Sequence, residues 1–174
     1  MKDKSEFLRI TEMGTGDGSR PLFPYPVPLR KTEIIDIGAN NMNDCIFCKI
    51  ASGEIPCMKV YEDNFTLAFM DIAKDVDGHI LVVPKKHFKN VLDCDEETLY
   101  AVMKTVRTVS NHLTEQCGYD GVNLLNASDE SAGQSVPHLH IHIIPRKRND
   151  GINAWPRFEG AREDIQTVFE KVKM

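Results

Sequence analysis

The chain predicts an α+β fold, a mainly antiparallel sheet packed with one long helix and a C-terminal helix. Three stretches carry that expectation. The run His138-Leu139-His140-Ile141-His142-Ile143-Ile144 alternates apolar and polar residues as a strand does, the segment from Asp93 to Cys117 repeats apolar residues at helical steps, and several short apolar runs are separated by turn residues.

In chain order, a short helical turn is expected from Ile46 to Ser52, stopped by Gly53. Val60–Glu62 and Thr66–Asp71 read as a hairpin across Asp63-Asn64, and Ile80–Pro84 as the next strand. The long helix opens with Asp95, Glu96 and Glu97, which suit the positive end of the helix dipole, and stops at Gly118. Its residues Leu99, Val102, Met103, Val106, Val109 and Leu113 form one expected buried stripe, which is core and not a cofactor site. His112 lies on this helix without suitable partners nearby and reads as a surface or locally bonded residue. Gly121–Asn126 and Leu139–Pro145 supply two further strands, and Glu163–Lys173 a terminal helix.

Residues 1–43 differ in composition, with Gly14, Gly16 and Gly18 followed by Pro21, Pro24, Pro26 and Pro28. Closely spaced prolines exclude a helix and favour an extended course. A flexible tail, a strap on the domain surface, a ligand for a proline-recognising groove and an added leader are the available readings. Residues 44–174 form the expected domain.

A net charge of −5 provides no basic footprint for long nucleic acid, while a mononucleotide needs only a local site. No apolar run approaches the roughly 18 residues of a membrane span, and Met1–Arg20 lack the apolar centre of a signal peptide, so a cytoplasmic protein is expected. Five cysteines, two of them in Cys45-Ile-Phe-Cys48, fit a metal knuckle better than a secreted disulfide scaffold.

If the histidine run is a strand, the imidazoles of residues 138, 140 and 142 share one face, and each can serve as nucleophile, proton carrier or metal ligand near neutral pH. That run, preceded by Ala132-Gly133-Gln134-Ser135-Val136-Pro137, resembles the signature of the histidine triad family of nucleotide-binding hydrolases and transferases. Cys45-Ile46-Phe47-Cys48-Lys49-Ile50, Gly53-Glu54-Ile55-Pro56, Ala68-Phe69-Met70-Asp71-Ile72 and Gly78-His79 through His87 resemble the same family, in order, so the likeness runs from about Asp44 to about Arg146. Histidine at 142 favours the hydrolase branch, since the related uridylyltransferases carry glutamine there.

The resemblance implies the histidine triad fold, a homodimer, and a purine nucleotide or nucleotide conjugate as ligand. It gives His140 the attack on phosphorus, which accords with a neutral imidazole being a good nucleophile whose phosphoramidate is reactive enough to hydrolyse. A carbonyl on the backbone of the neighbouring strand is the natural partner for its protonated nitrogen. His142 is expected to bind or stabilise the phosphate, and His79 is either catalytic or a structural contact at the edge of the site. Gly133, Gln134 and Ser135 supply donors for phosphate oxygens, with the Gln134 amide reaching a bridging or leaving oxygen. Phe47, Ile50, Phe69, Ile72 and Leu81 are the implied purine slot, Asp71 the ribose acceptor, and Asn126 a polar residue near ribose or phosphate. Trp155 and the tail after Pro145 are expected to reach the partner's site.

Cys45 and Cys48, with His87 and His138 at the matching family positions, make a closed tetrahedral set for structural Zn2+; two buried free thiols are the other reading. Two rival functions remain. One is a hydrolase whose His138, His140 and His142 hold catalytic zinc, disfavoured because strand residues rise about 3.3 Å each. The other is a non-catalytic nucleotide-binding scaffold.

Overall fold

The computed structural model describes residues 44–73, 75–154, 158 and 160–174. The expectations for residues 1–43 and Trp155 lie outside the described residues.

A short helix α1 (Ile46–Ala51) leads into strands β1 (Lys59–Glu62), β2 (Thr66–Met70) and β3 (Ile80–Pro84). Then follow the long helix α2 (Glu96–Glu115), strand β4 (Gly121–Leu125), a 3-10 turn (Glu130–Ala132), strand β5 (Ile141–Arg146) and the terminal helix α3 (Ile165–Val172). The strands form one antiparallel sheet in the order β1-β2-β3-β5-β4. In the first hairpin, the Asp63 carboxylate accepts from the amides of Phe65 (2.9 Å) and Thr66 (2.8 Å), which turns the chain without a glycine.

Alternation along the central strands divides the core in two. Ala68, Ile80, Val82 and Ile143 face Val102, Val106, Val109 and Leu113 of α2. On the opposite face Leu67, Phe69, Leu81 and Val83 pack with Phe47 of α1. His142 pairs with Leu81 across β5 and β3 and therefore lies on the α1 face, away from the long helix.

The chain departs from expectation at several points. Strand β5 begins at Ile141, two residues later than the alternation predicts. Pro137 has no amide to donate, the His138 amide turns to the Val136 carbonyl (2.8 Å), and the Leu139 amide goes to Phe88 (2.7 Å), so residues 138–140 run outside the sheet. Helix α2 is shorter than Asp93–Cys117 because the Asp95 carboxylate caps it, accepting from the Thr98 amide. Met103 is 47% exposed, whereas Thr98 and Thr105 join the buried stripe. A polar residue is tolerated at 105 because its hydroxyl bonds that of Thr66 at 2.7 Å. The terminal helix forms, yet Ile165 is 88% exposed and α3 has no buried residue, so it adds no layer to this chain's core. His112 is exposed, as expected. Among the described residues no helix is long and apolar enough to cross a membrane.

Candidate active site

The three histidines of the run are buried or half-buried, and their rings turn toward three different partners. His140 Nδ1 lies 2.7 Å from the His138 carbonyl. A carbonyl only accepts, so Nδ1 carries the ring proton and Nε2 keeps its lone pair. Asn126 donates from Nδ2 to the His140 carbonyl at 2.8 Å and braces the backbone of that residue.

His142 follows on β5, its ring centroid 5.0 Å from that of His140. Burial, then the neighbouring His140 and His79, push its pKa down to about 4, so it is neutral at pH 7. Its Nδ1 is 2.8 Å from Nε2 of His79, and His79 Nδ1 is 2.9 Å from the Asp75 carboxylate. Asp71 accepts from the Ala73 amide at 2.8 Å and holds its other oxygen 3.6 Å from His79 Nε2.

Of the expected purine slot, Phe47, Ile50, Phe69 and Leu81 meet in one cluster, with Phe47 edge-on to both Phe69 (5.8 Å) and His140 (5.2 Å). Ile72 stands apart, 87% exposed, because the chain leaves β2 at Met70 and the residue after Asp71 turns outward. Gly133 adopts φ +86°, a left-handed position with nothing near a would-be Cβ. Ser135 is exposed beside it. The Gln134 amide does not point outward as expected. Its oxygen accepts from the Asp129 amide (2.8 Å) and its nitrogen donates to the carbonyls of Lys89 (2.6 Å) and Val136 (2.9 Å), so it braces the loop.

The cysteine pair forms a second centre beside the first. Cys45 precedes α1, and its sulfur accepts from the Cys48 amide, so both thiols emerge at one end of that helix. His138 donates from Nε2 to the Pro84 carbonyl (2.9 Å), which leaves Nδ1 free to face Cys45 Sγ (3.3 Å) and Cys48 Sγ (3.5 Å). His87 Nδ1 lies 3.3 Å from Cys48 Sγ, and the four donor atoms fall within 4.8 Å of one another. A tetrahedral zinc with bonds of about 2.3 Å to sulfur and 2.0 Å to nitrogen separates such ligands by about 3.5 Å. The donor set and its spacing therefore fit a metal ion. Burial pushes the His138 pKa down to about 4, keeping it neutral as a ligand must be. Burial and the adjacent Cys45 push the Cys48 thiol up to about 12, so a metal ion binding there would have to displace its proton.

Two cavities flank these centres. One, of about 830 Å³, is lined by Asp75, Asp77, Tyr119, Lys147 and Asp150 among others; another, of about 610 Å³, by Cys45, Ile46, His87, Lys89 and Ser135. His140 lines neither. Asp75 was not legible as a site residue, since one aspartate in a loop four positions before a histidine carries no sequence signal.

The HIT domain family model matches residues 52–149, more than half of the chain. The chain belongs to the HIT family. An adenosine 5'-monophosphoramidase of Schizosaccharomyces pombe is 36% identical over 74% of this chain and 95% of its own length. A crystal structure of a HIT family member from Bacillus subtilis is 41% identical, covers 74% of this chain and 94% of that one, and has a TM-score of 0.64. A zinc-bound histidine triad protein from Mycobacterium smegmatis is 31% identical over 66% of this chain and 84% of its own, with a TM-score of 0.62. Within this HIT chain the matched segment contains His79, His87, Asn126, Ser135 and the whole histidine run, whereas Cys45 and Cys48 precede it.

Proposed function

We propose that this chain is a nucleotide hydrolase or nucleotidyltransferase that cleaves at the α-phosphorus of purine nucleoside phosphoramidates or dinucleoside polyphosphates through a nucleotidyl-His140 intermediate. One observation carries the reading: the His138 carbonyl fixes the proton of the His140 ring on Nδ1 and leaves Nε2 as the nucleophile. In the first step the Nε2–phosphorus bond forms and the bond to the leaving group breaks. In the second, water displaces Nε2 and the nucleoside monophosphate departs. His142 and Ser135 stabilise the phosphorus centre, and the exposed Gly133 lets phosphate approach the backbone. Phe47, Ile50, Phe69 and Leu81 border the base, with Asp71 for the ribose. Relatives named as adenosine 5'-monophosphoramidases support this substrate class.

Cys45, Cys48, His87 and His138 are proposed to hold zinc in a structural role. Four protein ligands close the coordination shell, so the ion supplies stability to the backbone before His140 and no activated water. Resemblance to the family supports a homodimer and a cytoplasmic location.

The test is to quench the reaction of an adenylated phosphoramidate in its first turnovers and search by mass spectrometry for adenylate on the peptide containing His140. An adduct is expected. His140→Ala should lose several powers of ten in turnover yet still bind adenosine monophosphate. Wild-type turnover by His140→Ala, with no adduct under any quench, would leave a nucleotide-binding scaffold as the function.

A further inference from the structure

The His140–His142 pair accounts for attack on phosphorus but not for protons. A phosphoramidate leaves as an amine only if its nitrogen gains one, and water attacking the phosphorylated ring must lose one. Resting on the proposed function, the question is where that proton is stored and which residue sets its position.

Asp75 is the residue that the sequence did not point to. Its carboxylate only accepts, so the 2.9 Å contact places a proton on His79 Nδ1. In a neutral ring His79 Nε2 then accepts, and the 2.8 Å contact to His142 Nδ1 requires His142 to donate. Asp75 thus fixes the tautomers of two rings in series and leaves His142 Nε2 without its proton. Other groups facing the pair are Asp71, 3.6 Å from His79 Nε2, and the ring of His140. The His79 side chain is 6% exposed and that of Asp75 54%, so the series runs from the interior to water. Asp75 also lines the cavity of about 830 Å³. The bond to His79 holds the Asp75 carboxyl below its usual range, as an ionised acceptor requires.

The loop that presents Asp75 is fixed by packing. Gly78 has φ +82°, and a Cβ there would meet Tyr119 Oη at 2.8 Å and Pro145 Cγ at 3.1 Å. Tyr119 donates to the Asp77 carbonyl at 3.4 Å, and the His79 amide to Val76 at 3.3 Å.

We propose that Asp75 is a positioning residue that orders the His79–His142 pair as a proton relay between the phosphorus centre and solvent. Before the first step His142 Nε2 takes one proton from solvent, so that this ring carries a proton on each nitrogen, with the Asp75 carboxylate as counter-charge at the far end of the pair. In the first step the phosphorus–nitrogen bond breaks and the leaving nitrogen takes that Nε2 proton, which restores the resting tautomers; the outward route then runs from His142 Nε2 through Nδ1 to His79 and on to water at Asp75. In the second step the attacking water forms its bond to phosphorus, the Nε2–phosphorus bond of His140 breaks, and the water proton returns by the same route. One proton is borrowed and returned in each cycle.

The experiment compares wild type with Asp75→Asn, Asp75→Ala and Asp75→Glu in the full chain, using an adenosine phosphoramidate and imidazole 15N NMR. Asp75→Asn and Asp75→Ala should lower kcat by about tenfold and displace the pH–rate profile, while adenosine monophosphate affinity stays within about twofold; Asp75→Glu should recover part of the rate. The 15N spectra should place the wild-type His79 and His142 protons on Nδ1, and Asp75→Ala should spread them over both nitrogens. Unchanged tautomers together with an unchanged pH profile would overturn the relay. If wild type shows no turnover, the proposed function fails instead, and the 15N comparison still decides whether Asp75 sets the tautomers.

Discussion

At the scale of single residues, what distinguishes the histidines is the partner of each ring. His138 gives Nε2 to Pro84 and turns Nδ1 to two thiols; His140 gives Nδ1 to a carbonyl and keeps Nε2; His142 gives Nδ1 to His79. With donors turned three ways, the run does not converge on one ion, which removes the support for a catalytic zinc held by all three. The pattern of alternate histidines was legible in the sequence, and so was a carbonyl partner for His140. The identity of that carbonyl was not, because it belongs to a bend made by Pro137 and not to a neighbouring strand. His142 also allows a pH prediction. Its pKa falls from an ordinary 6.5 to about 4 on folding. Above pH 6.5 both states are neutral there; as pH falls toward 4 the unfolded chain takes up a proton that the folded chain refuses, so stability declines across that window. In denaturant titrations at matched metal content, His142→Gln should flatten the decline between pH 6.5 and 4, and an identical slope in the variant would refute the assignment.

At the scale of elements, the site depends on where strands stop. Asp71 stands just past β2 and His79 just before β3, so both reach the site from the ends of adjacent strands, while His142 enters from within β5 on the α1 face. Gly78 is the tightest point of this arrangement, combining a left-handed backbone with contact to Tyr119 and Pro145. Gly53 has the same φ of +82° with nothing near its would-be Cβ. Alanine at either position should cost about 1–2 kcal/mol from backbone strain alone. Gly78→Ala should exceed Gly53→Ala in chemical denaturation because it also displaces Tyr119, and should slow turnover by shifting His79. Equal denaturation midpoints for the two variants would show that the Gly78 contacts yield freely.

At the scale of the whole molecule, the buried sheet separates two jobs: one face binds α2 and makes the larger core cluster, and the other is left for α1, the thiols and the histidines. The proposed metal centre draws its ligands from α1, the segment after β3 and the bend before β5, so its occupancy should be read in global stability. Purified protein should carry about one zinc per chain, and chelation or Cys48→Ser should lower the melting temperature by several degrees, since an ion bound only by the folded state stabilises it. A metal-free preparation whose melting is indifferent to chelator would count against the centre. The sequence by itself determined the α+β class, the order of the elements, the family and the types of residue available for chemistry, because periodicity and motif spacing are local properties of the chain. Tertiary structure alone decided that β5 starts at Ile141, that Met103 faces out while Thr105 is buried against Thr66, that Gln134 braces its own loop, and that Asp75 reaches His79. Each of those outcomes depends on which distant group satisfies a hydrogen bond or fills a space, and no local pattern encodes the partner.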